Sequence, residues 1–391
     1  MRDEWKKVRL GDVATIQTGV AKNEGYSGET IEIPYLRVAN VQDGFLDLSE
    51  IKKIKIPVEK KNRFLLQKGD VIMTEGGDFD KLGRGTIWDG QITPCAHQNH
   101  LFVVRTDCTK LNPFFLSYLS ASSYGRLYFR LSSKQSTNLA SINSTQLSLF
   151  PILLPTLEEQ NNIVNTISIW DSAIEKTEKL IEKKESLFNW YAKRILISGK
   201  TTKVLFSDLF RISFEKNTAN QIYPALSVTK DGVVFQEEYF NKRVASDDTR
   251  SYLIARRNTF VFSGLNFWMG SVDLQTLTDI GIISPAYKVF TINSDLISYE
   301  YAHFLIRSNY MKRLLMDSSI VGASIVRRNL DMDNLLNSAI ELPTLEQQSK
   351  IVEQLSIIQK DIELNKMLLN QYKLQKQGLM QKLLTGEWRI K

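Results

Sequence analysis

The sequence contains one stretch twice, as LPTLEEQNNIV at Leu154–Val164 and as LPTLEQQSKIV at Leu342–Val352. The copies lie 188 residues apart and agree at 8 of 11 positions. No proline follows Pro155 until Pro224, and none follows Pro343. Because this period is far longer than that of a solenoid repeat, it indicates a duplicated unit of one globular segment and one long helix.

Each copy has the features of a helix start. Both match the capping box, in which a Thr hydroxyl and an acidic or amide side chain bond reciprocally across the first turn. The pairs are Thr156 with Glu159 and Thr344 with Gln347. At the other end, Ser198-Gly199 and Thr385-Gly386 are typical of a left-handed helix stop. We predict two helices of about 40 residues, each roughly 60 Å long.

Both helices carry apolar residues every seven positions. These are Ile167, Ile174, Ile181, Phe188 and Ile195 in the first helix, and Leu355, Ile362, Leu369 and Leu383 in the second, where Lys376 is the one polar member of the series. A second seam is interrupted near its middle by Thr177 and Asn365. The pattern predicts an antiparallel coiled coil in which these two polar residues meet and fix the register. The alternative is that each helix packs only on its own globular neighbour.

The intervening segments combine β-rich runs and Gly-rich turns with one helix each. The predicted strands are Gly69–Thr74, His100–Arg105, Asn258–Ser263 and Tyr287–Ile292, and the predicted helices are Pro113–Phe129 and Tyr299–Met316. The predicted fold is α+β, with two globular α/β domains, two long spacer helices and an internal pseudo-twofold repeat. The order is a globular domain at 1–155, a helix at 156–200, a dissimilar globular domain at 201–342 and a helix at 343–391.

This layout resembles the specificity subunit of type I restriction–modification systems along essentially the whole chain. The resemblance rests on the opening WKKVRLGD at Trp5–Asp12, the two LPTLEEQ and LPTLEQQ helix starts, and the exits LISG at Leu196–Gly199 and LLTGEW at Leu383–Trp388. The second globular segment departs from this pattern, since its weaker copy of the opening, KVLFSD at Lys203–Asp208, lacks the Trp and Leu-Gly of the first.

The resemblance implies that the globular segments are target recognition domains, each recognising half of a bipartite asymmetric double-stranded DNA site. The helices would space these domains and bind two modification (methyltransferase) subunits, joined by two restriction subunits for cleavage. S-adenosylmethionine, ATP and Mg would be used by those partners, and this chain would hold no cofactor.

Four polar loops are the candidate DNA contacts, because Lys and Arg bind phosphates while Arg, Asn, Gln, Ser and Thr recognise base edges. In the first domain they are the Gly-rich loop Glu75–Gly85 with Lys81 and Arg84, and the loop after the helix with Arg130, Lys134, Gln135, Ser136, Thr137 and Asn138. In the second they are Ser263–Ser271 with Asn266 and Trp268, expected to be exposed, and Val321–Asn329 with Ser324, Arg327, Arg328 and Asn329. Ordinary solvated loops are the alternative interpretation.

The remaining features argue against other classes of protein. A net charge of +7 over 391 residues is mildly basic, two cysteines fit a reducing cytoplasm, and no apolar run is long enough to span a membrane. Cys95, His97, His100 and Cys108 match no familiar zinc spacing, and we expect no metal. Asn112–Phe115 lacks the second proline of the adenine methyltransferase motif and fits a helix start. We therefore expect no catalytic residue; the alternatives are a fused methyltransferase or nuclease, and a coiled-coil scaffold without sequence-specific DNA binding.

Overall fold

The computed structural model describes residues 5–21, 28–77, 82–83, 85–135, 140–241, 245–321 and 328–390. The chain forms two compact units. The first unit is Met1–Glu178 with Met367–Lys391, and the second unit is Lys179–Lys366. Each unit therefore combines one globular segment with part of each long helix.

Most of the described helices recur at equivalent places in the two halves of the chain. They are α1 Lys61–Phe64, α2 Pro113–Ala121, α3 Ser123–Ser132, α4 Ser144–Ser148, α5 Leu157–Ile195, α6 Phe206–Leu209, α7 Gln236–Phe240, α8 Tyr299–Arg307, α9 Asn309–Asp317, α10 Met332–Leu336 and α11 Leu345–Leu384. Short 3-10 turns lie at Leu10–Asp12, Val38–Asn40, Val58–Lys60 and Phe267–Met269. The two long helices, of 39 and 40 residues, confirm the predicted lengths.

The strands are short. Those of the first unit are β1 Lys6–Arg9, β2 Ala14–Thr18, β3 Thr30–Leu36, β4 Lys52–Pro57, β5 Val71–Thr74, β6 Gly76–Gly77, β7 Gly85–Ile87, β8 Ala96–His97, β9 Leu101–Thr106, β10 Lys134–Gln135, β11 Ala140–Ser141 and β12 Pro151–Leu154. Those of the second are β13 Thr201–Leu205, β14 Phe210–Ser213, β15 Ala225–Thr229, β16 Gly232–Phe235, β17 Leu253–Arg256, β18 Thr259–Ser263, β19 Val272–Gln275, β20 Ile280–Ile283, β21 Tyr287–Ile292, β22 Ser319–Val321, β23 Arg328–Leu330 and β24 Ala339–Pro343.

Matching sheets recur in both units although the sequences diverge. The four-stranded order β2-β9-β5-β7 of the first unit corresponds to β14-β21-β18-β19 of the second. The pair β1-β12 corresponds to β13-β24, and the sheet β4-β3-β8 to the first three strands of β16-β15-β20-β17. The dissimilarity expected between the globular segments therefore applies to their sequences and much less to their strand order.

Each globular segment contains two helices where one continuous helix was predicted, so that prediction was wrong. The breaks lie at Ser122 and Ser308, whose backbones are extended with ψ of 164° and 157°. Ser122 Oγ accepts from the Gly125 amide at 3.4 Å, and Ser308 Oγ from the Met311 amide at 3.2 Å. Serine is a strong N-cap, so each one ends one helix and starts the next.

The long helices run antiparallel within each unit. In the first unit Trp170 of α5 packs edge-on against Tyr372 of α11, with ring centroids 5.7 Å apart, and Lys373 pairs with Glu178 at 2.7 Å. In the second unit Lys184 pairs with Asp361 at 2.6 Å and Tyr191 donates to Gln354 at 2.5 Å. Mutual pairing is therefore confirmed within each unit.

The same helices also pack on their own globular neighbours, so both of the alternatives considered contribute. Ile163 and Leu383 belong to one buried core with Phe115 of α2 in the first unit. Leu355 belongs to the corresponding core of the second unit with Tyr301 of α8.

The predicted register residues bond within their own helices. Thr177 Oγ1 donates to the Ala173 carbonyl at 2.7 Å, and Asn365 Nδ2 donates to the Asp361 carbonyl at 2.6 Å. Their role in fixing the register stays a prediction.

The helix caps follow the predicted pattern at one of the two starts. Thr344 and Gln347 form the complete reciprocal box, since the Thr344 amide donates to Gln347 at 3.2 Å and the Gln347 amide to Thr344 at 3.4 Å. At Thr156 only the hydroxyl half is present, because the Glu159 carboxylate turns instead to the Trp5 indole at 3.1 Å and to Arg389 at 2.8 Å. A buried carboxylate needs such charged and polar partners, and they outcompete the cap.

The four residues considered for a zinc site do not come together. Cys95 and His97 are buried, Cys108 is exposed, and His100 lies 2.7 Å from the Glu75 carboxylate. Across the described ranges, no group of three or more His, Cys, Asp or Glu side chains could hold a metal ion. No helix in that part of the chain is long and apolar enough to cross a membrane.

His97 is completely buried in the first unit. Its Nδ1 lies 3.2 Å from the Phe64 carbonyl and therefore carries the proton, while Nε2 has no hydrogen-bond partner among the described residues. Burial lowers the pKa of His97 from 6.5 to about 4. The unfolded state therefore binds the proton first as the pH falls, so the native state loses stability between about pH 6.5 and pH 4.

We predict that His97→Asn, which preserves a donor to Phe64, reduces this pH dependence. Between pH 7 and pH 5 the wild-type protein should lose about 2 kcal/mol more unfolding free energy than the variant. Urea unfolding of both proteins at the two pH values measures the difference. Equal losses would show that His97 does not titrate in this way.

Candidate nucleic-acid interface

The two candidate loops of the first unit are joined by one small sheet. Strand β6 of the Gly-rich loop pairs with β11, which also pairs with β10 at the start of the loop after α3. A Cβ on Gly76 would lie 2.7 Å from the Ala140 carbonyl oxygen, so glycine permits this approach. The structure thus brings together two segments that the sequence analysis treated separately.

The base of this sheet is anchored by hydrogen bonds to Glu75. The Glu75 amide donates to the His100 carbonyl at 3.1 Å, and the Ile142 amide donates to the Glu75 carbonyl at 2.9 Å. In the same Gly-rich loop Gly83 has a φ of +65°, and a Cβ there would lie 2.4 Å from the Phe129 ring. The loop therefore needs glycine to cross the α3 aromatic side chain.

The described basic side chains of this loop pair are solvent-exposed. Lys134 lies on β10 opposite Ser141, and Arg130 lies on the last turn of α3. The loop start is held by Ser133, whose hydroxyl donates to the Arg130 carbonyl at 2.8 Å. Exposed cations on an anchored backbone suit phosphate contact.

The second unit has a corresponding hairpin after α9. Strand β22 pairs with β23, placing Val321 opposite Arg328. The Arg328 guanidinium donates to the Ser319 hydroxyl at 3.1 Å and is half-buried, whereas Asn329 is exposed. Arg328 is thus partly used within the hairpin, and Asn329 is available to a ligand.

The other loop of the second unit connects the paired strands β18 and β19. Ser263 Oγ accepts from the Asn266 amide at 3.1 Å, and the Ser263 amide donates to the Ser271 carbonyl at 3.0 Å. Asn266 is exposed, but Trp268 is half-buried against the phenylalanine-rich core, with its indole nitrogen inaccessible to solvent. The expectation that Trp268 is exposed was wrong, because the 3-10 turn directs it inward.

Several predicted contacts lie outside the described residues. These are Lys81, Arg84, Ser136, Thr137, Asn138, Ser324 and Arg327. Gln135 is described by its backbone alone, in β10. DNA contact by these residues stays a prediction.

Gln160 and Gln348, which join each long helix to its globular segment, were not among the residues predicted from the sequence. Both side chains are fully buried and hydrogen-bonded to backbone groups on either side of the joint. The sequence did contain a signal for them, because both copies of the repeat have glutamine at this position. The capping boxes do not explain that glutamine.

A family model for the type I restriction modification DNA specificity domain matches residues 2–185 and 271–374, well over half of the sequence. The chain belongs to this family. The resemblance stated from the sequence is thereby confirmed.

Relatives and solved structures agree with this assignment. A protein of Methanocaldococcus jannaschii, provisionally named the type I restriction enzyme MjaX specificity subunit, is 24% identical over 420 residues, covering 100% of this chain and 95% of that protein. The type I restriction enzyme StySPI specificity subunit of Salmonella potsdam is 27% identical over 194 residues, covering 49% of this chain and 42% of that protein. A solved structure from work on assembly and conformational transition of the type I R-M system has a TM-score of 0.64 and 16% identity, covering 98% of both chains.

We predict that Trp268 stabilises the specificity subunit while Asn266 does not. Trp268→Ala should lower the unfolding free energy by about 2 kcal/mol, since it removes half-buried aromatic surface. Asn266→Ala should change it by less than about 0.5 kcal/mol, since it alters an exposed side chain. Urea unfolding of the two variants checks this, and similar losses would contradict the inward placement of Trp268.

Proposed function

We propose that this specificity subunit recognises a bipartite, asymmetric double-stranded DNA site, with one half-site for each globular domain. The observation that carries the proposal is the recurrence of matching sheets with different exposed side chains at the recurring loops. On the second strand of each hairpin the exposed residue is Ser141 in the first unit and Asn329, at the equivalent position, in the second. Similar scaffolds with different contact residues fit two different half-sites.

The proposed partners are two modification subunits and two restriction subunits, with the long helices as the docking elements. Modification would use S-adenosylmethionine and cleavage would use ATP and Mg, all bound by those subunits. The chain itself would be non-catalytic and act in the cytoplasm, where the modified DNA lies. Support comes from the relatives, which are named specificity subunits.

A scaffold that binds only proteins is the second candidate considered from the sequence. Such a scaffold does not require two sets of loops that carry different side chains on the same fold. It would also show no salt-sensitive affinity for DNA, whereas binding through lysine and arginine releases counterions and weakens steeply with salt.

We predict that the chain directs methylation to one motif. Cells that lack other methyltransferases should, when expressing this chain with its neighbouring modification subunit, carry modified adenines within one bipartite sequence. Omitting this chain should abolish the modification, and methylome sequencing measures both conditions. Methylation that persists unchanged without the chain would overturn the proposal.

We predict that Lys134 contributes a phosphate contact rather than base recognition. In complex with the modification subunit, Lys134→Ala should weaken binding to all duplexes uniformly and reduce the slope of log affinity against log salt by about 1. Lys7→Ala removes an exposed lysine from β1, outside the candidate loops, and serves as the charge-matched control. Binding titrations at several salt concentrations measure this slope. Equal effects of Lys134→Ala and Lys7→Ala would exclude a specific role for Lys134.

A further inference from the structure

Gln160 and Gln348 make the same three hydrogen bonds in the two units. Gln160 Nε2 donates to the carbonyls of Lys110 at 2.9 Å and Pro155 at 3.1 Å, and its Oε1 accepts from the Asn112 amide at 2.8 Å. Gln348 Nε2 donates to the carbonyls of Leu296 at 2.9 Å and Pro343 at 3.0 Å, and its Oε1 accepts from the Ser298 amide at 2.9 Å. We call each set a glutamine joint.

Each glutamine joint connects the starts of two helices. Gln160 and Gln348 lie in the first turns of α5 and α11, while Asn112 and Ser298 are the N-caps of α2 and α8. Both glutamine side chains are 0% exposed. All three partners are backbone atoms in each case, so the joint is independent of the side chains that differ between the two globular segments.

A fully satisfied buried amide restricts orientation more than apolar packing does. Hydrogen bonds fix distance and angle, whereas apolar contact is non-directional. A displacement of α2 relative to α5 would leave a buried amide or carbonyl without a partner, which is costly in a water-free environment.

The helices that the joints hold lead directly to the candidate DNA-contacting hairpins. Helix α2 is followed by α3 and then by β10, and α8 is followed by α9 and then by β22. Additional bonds tie α2 to α5, and α8 to the residue that follows α5. The Tyr118 hydroxyl donates to Asp171 at 2.5 Å, and the Tyr301 hydroxyl donates to the Leu196 carbonyl. The glutamine joint and these further bonds together orient the helices that lead to each hairpin.

We propose that Gln160 and Gln348 are positioning residues that set the orientation of each target recognition domain on its spacer helix, and thereby the number of base pairs between the half-sites. This inference rests on the proposed recognition of a bipartite site. It assigns spacing selectivity to two buried side chains that contact no DNA.

The test uses the complex with the modification subunit and three duplexes. One carries the motif found by methylome sequencing, and the others have the same half-sites with one base pair removed from or added to the spacer. Single-turnover methylation rates give the spacing ratio, defined as the rate on the native spacer divided by the rate on an altered one. Gln160→Met and Gln348→Met preserve side-chain length but remove all three hydrogen bonds.

Either substitution should lower the spacing ratio by about tenfold or more, by relaxing the domain orientation that discriminates the spacers. The matched control is Gln347→Met, the same substitution one residue away from Gln348, at a half-buried side chain whose hydrogen bonds among the described residues lie within its own cap. It should leave the spacing ratio unchanged. A purely structural role would reduce the amount of active complex and lower all three rates by the same factor.

Gln160→Asn and Gln348→Asn provide a second pair in case the methionine variants do not fold. They keep the amide but shorten it by one methylene group, so some of the three bonds are lost and the spacing ratio should fall by several-fold. Folded variants with an unchanged spacing ratio would overturn the inference while leaving the proposed function intact. A wild-type complex that methylates without regard to either half-site would instead overturn the proposed function.

Discussion

Each unit depends on the pairing of helix segments that are far apart in the sequence. In the first unit the globular core is completed by Met380, Leu383 and Leu384 from the end of α11, which pack with Ile163 and Phe115. Burial of these apolar side chains supplies the main favourable free energy. The first globular segment therefore cannot complete its core until the last helix is in place.

Polar contacts around Glu159 also join segments that are far apart in the sequence. Its carboxylate is almost entirely buried and binds both the Trp5 indole and the Arg389 guanidinium, and that guanidinium also lies over the Trp5 ring at 5.2 Å. Residues near the beginning and the end of the sequence thus meet at the first turn of α5. Removing either partner would leave a buried charge poorly compensated, which is more damaging than losing an exposed ion pair.

The two long helices were the easiest part of the fold to predict, because their sequence patterns extend over many residues. The repeated LPTL stretch, the heptad periodicity and the Ser-Gly and Thr-Gly stops identified both helices and their ends, because these patterns depend on the backbone and on one continuous apolar face. Details that depend on tertiary partners could not be predicted. Glu159 looked like a cap residue, but its choice of Trp5 and Arg389 is visible only in the folded chain.

Local breaks and side-chain directions were harder for a related reason. Serine occurs within helices as well as at their ends. At Ser122 and Ser308 the packing of the flanking helices makes the residue a cap. Trp268 occupies a Gly-containing polar loop, where nothing in the sequence indicates the 3-10 turn that buries its ring edge. The pairing of two candidate segments through β6, β10 and β11 is a long-range property of the fold that the sequence does not reveal.

The glutamine joint has a consequence for how such proteins diversify. Because the buried amide bonds only to main-chain atoms, a globular segment with an entirely different surface can be inherited in place of another and still meet the same helix in the same way. Recombination between related genes could therefore exchange one segment while the joint, and the geometry that it imposes, passes unchanged to the descendant.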